Sequence, residues 1–107
     1  MKPISKTTKT ELNRFFFNYI SQSSRDEIIK ILKQCKRDLT IHKCAVDTYA
    51  HMELRNTSLT DSVIHRFQLE PIEDEPLTFS VLIVAFKTGL RKFARLNDID
   101  LYYFERK

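Results

Sequence analysis

The sequence predicts a single small α+β domain, with elements in the order α-α-β-β-α-β and a mostly antiparallel sheet carrying helices on one face. Three observations predict it. Apolar residues recur every three to four positions in the first third of the chain and again beyond Pro76, the period of an amphipathic helix. Between Cys44 and Leu69 the apparent period shortens to two, that of a half-buried strand. A short aromatic run from Ile99 to Phe104 suits a last strand.

Residues 1–9 are polar and carry Lys2, Lys6 and Lys9, so they read as a flexible basic arm ahead of a domain over 10–107. Thr10 offers a cap, with Glu11 in the first turn where the helix dipole favours an acid. Leu12, Phe15, Phe16, Tyr19 and Ile20 then form one helical stripe, with Phe17 off it. Ser24-Arg25-Asp26-Glu27 is a capping box, serine at the cap and glutamate three residues on. Ile28, Ile29, Leu32 and Cys35 make the buried side of that second helix, and Lys30, Lys33 and Arg37 its outer side.

The next segment carries two periods at once. Cys44, Val46, Thr48, Ala50, Met52 and Leu54 alternate with more polar neighbours, whereas a helix would group Ile41, Cys44, Ala45, Thr48, Tyr49 and Met52. The strand reading has the cleaner outer face. Asn56-Thr57-Ser58 supplies turn chemistry, and Val63, His65, Phe67 and Leu69 alternate after it, completing a predicted hairpin.

Glu70 to Pro76 is an acidic, proline-bracketed loop, and Pro76 fits the start of a helix. That helix runs over 77–96, with Phe79, Leu82, Ile83, Phe86, Leu90, Phe93 and Ala94 on one face. Gly89 offers an alternative stop within it.

Composition excludes several classes of function. The chain has 107 residues and a single glycine, so it has neither a P-loop nor a dinucleotide fingerprint, both of which need several glycines at fixed spacing. No apolar run is longer than the six residues from Val81 to Phe86, so neither a signal peptide nor a membrane span is expected, and the expected location is cytoplasmic. Without an export signal, Cys35 and Cys44 are expected to be reduced thiols. Cys35, His42, Cys44 and His51 are metal-ligand types, but no close pair among them seeds a site, and no metal or other cofactor is expected. No nucleophile motif is present.

Two features remain. Net charge is +4, and Lys87, Arg91, Lys92 and Arg95 cluster on the last part of the long helix with no acid from 76 to 97. Such a ridge can track phosphates, joined by Lys30, Lys33 and Arg37. The long helix also has surplus apolar residues, Leu77, Val81 and Val84, opposite its core stripe. An apolar second side needs its own cover. With Tyr102 and Phe104 these residues form a candidate partner interface, most simply in a homodimer.

The expected function is therefore a non-enzymatic regulatory or accessory protein that binds nucleic acid mainly through phosphate contacts. A protein-binding inhibitor or immunity-type protein is the alternative. A small basic ribonuclease using His42, His51, His65 or Tyr49 on a sheet is a third reading.

Overall fold

The computed structural model describes residues 4–38 and 42–106 and is all-helical. Six helices follow one another: α1 (Lys6–Ile20), α2 (Arg25–Arg37), α3 (Ala45–Leu54), α4 (Thr57–Phe67), α5 (Leu77–Leu96) and α6 (Leu101–Glu105). Among the described residues there is no strand, so the predicted α+β class is wrong. The three predicted helices are present as α1, α2 and α5, and the three predicted strands are α3, α4 and α6.

The error at α3 has a clear physical origin. The strand reading places Met52 inward and Tyr49 outward, and the structure reverses both, with Tyr49 2% exposed and Met52 47% exposed. Ala45, Val46, Tyr49, Ala50 and Leu54 are the buried positions, at helical spacing. A helix satisfies its own backbone, while a strand needs a partner, and the second run is not available as one. Asn56 accepts backbone hydrogen bonds from Ser58 and Leu59 as the N-cap of α4, instead of turning a hairpin. Asn offers the same acceptor to turns and to helix starts, so its presence alone does not choose between them. The Thr60 hydroxyl donates to the Leu54 carbonyl at 2.8 Å and ties α4 to the end of α3.

At α6 the alternation would have put Leu101 and Phe104 on opposite faces of a strand. One helical turn puts both on the same side, buried.

The capping box at Ser24 and Glu27 is present in both directions, at 3.1 and 3.2 Å. α1 starts earlier than expected: Ser5, not Thr10, accepts from the Thr8 backbone N–H. Lys6 and Lys9 are therefore helical, and Lys2 lies outside the described residues. The chain has one glycine, so two helix ends use other residues in the left-handed region, Gln68 at φ 54° after α4 and Asp98 at φ 53° after α5. Arg25 secures the second of these ends, its guanidinium donating to the carbonyls of Asn97 and Asp98.

The core collects Leu12, Phe16 and Ile20 of α1, Ile28 and Leu32 of α2, Val46 of α3 and Val63 of α4 around Leu82, Phe86 and Leu90 of α5. α1 and α5 run in the same sense. Phe16 meets Phe86 edge-on, Lys92 lies over the Phe17 ring, and Arg25, just past α1, reaches the end of α5. α5 is continuous through Gly89 because the glycine sits where the two helices touch. A Cβ there would lie 2.7 Å from the Phe17 backbone nitrogen. α2 packs on α3 and α6, and α3 lies against α5. No helix among the described residues is long and apolar enough to cross a membrane.

Candidate functional site

The close approach of α1 and α5 leaves a trough along their outer side. Its first part, of about 400 Å³, is floored by Leu12 and Ala85 and walled by Leu77, Val81 and Val84, with Lys9, Asn13, Ser80 and Thr88 at its edges. Leu77 is 57% and Val84 62% exposed, a large apolar surface left to water on one helix. Its second part, of about 330 Å³, is lined by Thr10, Asn13, Arg14, Thr88, Gly89, Arg91, Lys92 and Arg95. Asn13 and Thr88 line both parts, so the two are neighbours along α1 and α5. One end is apolar and the other carries four cations and no acid among its lining residues.

The spacing on α5 explains this division. Leu77, Val81, Val84, Thr88, Arg91 and Arg95 follow one another at four, three, four, three and four residues, the seam of a two-helix packing. The first three are apolar and the last two cationic.

The predicted basic ridge is redistributed by tertiary contacts. Lys87 leaves it for a half-buried ion pair with Asp47 of α3 at 2.5 Å. Arg91 pairs with Glu105 of α6 at 2.8 Å, on a surface where such a bond exchanges readily. Lys92 lies 4.4 Å from the centre of the Phe17 ring. Arg95 stays exposed at the cationic end. Lys30, Lys33 and Arg37 are exposed on α2, whose packing is with α3 and α6, and they do not line the trough.

Of the predicted interface residues, Leu77, Val81 and Val84 come together. Tyr102 is exposed on α6 and is not among the residues lining the trough, and Phe104 is core at 5% exposure, which corrects its assignment to a surface. Sequence reasoning missed α1's contribution. Thr10, Asn13, Arg14 and Phe17 form a helical row legible in the sequence, but only the packing sets that row beside α5.

A second polar cluster lies at the start of α3. The rings of His42 and His51 stack with centroids 3.9 Å apart. His51 Nδ1 lies 2.8 Å from the Asp47 carbonyl, which can only accept, so that nitrogen carries a proton. His42 Nε2 is buried without a hydrogen-bond partner among the described residues. Burial pushes the His42 pKa down, and His51 and Arg55 push it further, against Asp47. For Asp47 burial acts upwards, but hydrogen bonds from Lys87 and Cys44 outweigh it and hold the carboxyl below its ordinary value. Burial raises the pKa of both cysteines, so neither presents a thiolate near neutral pH. Among the described residues no group of three or more His, Cys, Asp or Glu is placed to hold a metal ion. The ribonuclease reading needed its histidines and Tyr49 on a sheet. There is no sheet among the described residues, and Tyr49 is buried against Phe86.

Comparison with protein-family models, curated proteins and solved structures returned no match, so function rests on this geometry.

Proposed function

We propose that the chain is a non-enzymatic protein-binding module whose α1–α5 trough accepts an amphipathic helix with an acidic end. One observation carries the reading: the apolar and cationic parts lie next to each other along α1 and α5, with Asn13 and Thr88 lining both. A helix laid along it buries an apolar stripe on Leu77, Val81 and Val84 and brings its acids to Arg14, Lys92 and Arg95. The apolar part supplies affinity, and the cationic part sets direction and register.

The test is fluorescence anisotropy with a labelled synthetic helical peptide, leucines at i, i+4 and i+7 followed by glutamates. The expected result is saturable binding that Val84→Glu abolishes and Arg14→Glu with Arg95→Glu weakens. Equal binding by wild type and Val84→Glu would overturn it.

A second reading, phosphate binding, is favoured by the absence of any acid among the residues lining the cationic end. It predicts that a mixed-sequence duplex oligonucleotide binds with steep salt dependence, roughly one unit of slope per phosphate neutralised. Substituting Arg91 and Arg95 by Ala would flatten that slope. Oligonucleotide binding without peptide binding would transfer the assignment to this reading.

A further inference from the structure

We infer that the occupant of the trough is a second copy of this chain, docked with the two α5 helices antiparallel about a two-fold axis between Val81 and Val84. The inference rests on the protein-binding reading and names its partner.

Charge along this one helix is arranged to complement a second copy of itself. α5 is preceded by Glu70, Glu73, Asp74 and Glu75 and carries Arg91, Lys92 and Arg95 in its second half, with no acid from 76 to 97. The acidic segment is held close to the helix start. Asp74 and Glu75 both donate backbone N–H groups to the Pro71 carbonyl, and the Glu75 carboxylate accepts from the Leu77 backbone. Glu70, Glu73 and Asp74 are exposed there. Each copy thus carries acids in the turn before α5, apolar residues on the first half of the α5 seam and cations on its second half.

Parallel docking of two such seams opposes like charges. Antiparallel docking opposes unlike ones, and it is self-complementary, as a two-fold interface must be. With the axis between Val81 and Val84, each of these valines meets the other residue in the second copy. Leu77 meets the second copy's Thr88. Arg91, Lys92 and Arg95 then point toward the end at which the second copy's 70–75 turn carries Glu70, Glu73 and Asp74. The same antiparallel docking that pairs the apolar residues brings the acidic end of each copy to the basic end of the other. Sliding by a turn in one direction leaves Leu77 facing Arg91. The apolar contact covers the exposed Leu77 and Val84 side chains in both copies.

The experiment is light-scattering mass from micromolar to millimolar protein at low salt. The expected result is a dimer at the upper end. Val84→Glu, at an exposed helical position, should leave the helical circular dichroism and the melting temperature of the monomer unchanged and weaken the dimer by about thirtyfold or more. Glu73→Lys with Asp74→Lys should weaken it by about tenfold, and adding Lys92→Glu and Arg95→Glu should restore it. That rescue is specific to opposed charges, since a merely misfolded variant is not repaired by further changes. A monomer at every concentration would overturn the inference, as would a dimer indifferent to Val84→Glu or a charge swap without rescue. The acidic amphipathic peptide separates the two levels. If the monomer binds the peptide, the trough reading stands and only the second copy is wrong. If it binds neither itself nor the peptide, both fall.

Discussion

Gly89 lies against the backbone of Phe17: a Cβ on the glycine would come within 2.7 Å of the Phe17 nitrogen and 3.0 Å of the Phe16 carbonyl carbon. This contact fixes the distance between α1 and α5 and hence the width of the trough. In an isolated helix Gly→Ala stabilises by about 1 kcal/mol. Here the neighbour is backbone, which cannot swing aside, so the helices must separate. Gly89→Ala should therefore destabilise the fold by a net amount of about 2 kcal/mol, read as a lower denaturant midpoint. An unchanged or raised midpoint would refute the close packing.

Acid should erode stability in two stages. The His42 pKa is depressed in the folded state by burial and by the positive charge of His51 and Arg55. The unfolded chain then binds the extra proton first, so stability is complete at neutral pH and falls as pH drops below the ordinary histidine value of about 6.5. Asp47 is also depressed, its burial outweighed by Lys87 and Cys44. Its contribution is present above the ordinary carboxylate range and is lost as pH falls through the lower folded value. His42→Gln should remove the first stage and leave the second, in urea melts taken across pH 7 to 3. A first stage that survives the substitution would exclude His42 as its source.

The two aromatic ends of α6 should behave differently. Phe104, 5% exposed, packs into the core, and Phe104→Ala should cost about 3 kcal/mol or more. Tyr102, 69% exposed, should tolerate alanine within about 0.5 kcal/mol. Thermal melts of the two variants are the measurement, and equal effects would contradict the helical placement of α6.

Gln68 closes α4 in the left-handed region at φ 54°, with its backbone N–H donating to His65 and that of Leu69 to Ile64. That is the hydrogen-bond pattern of a Schellman cap, which glycine fills without a Cβ penalty. Gln68→Gly should stabilise by about 1 kcal/mol, seen as a raised melting temperature. A loss of stability would show that the Gln68 side chain itself matters.

The capping box at Ser24, the apolar stripes of α1, α2 and α5, the acid–base polarity of α5 and its second apolar row were all set by local sequence. Each depends on residues within one or two turns, so each was readable in one dimension. α3, α4 and α6 were not. From Cys44 to Leu54 the two periods coexist, and Asn56 caps a helix with the same oxygen that would have turned a hairpin. The choice fell to which side chains find cover, and burial of Tyr49 against Phe86 is a long-range fact. The cationic site divided in the same way. The cluster from Lys87 to Arg95 was visible in sequence, but the removal of Lys87 by Asp47 and the arrival of Arg14 beside Arg95 follow from α3 and α1 packing on α5. Sequence alone determined which helix surfaces are apolar or charged, because side-chain order along a helix is fixed by its 3.6-residue period. Tertiary structure decided which of those surfaces meet, because burial and ion pairing depend on residues far apart in the chain.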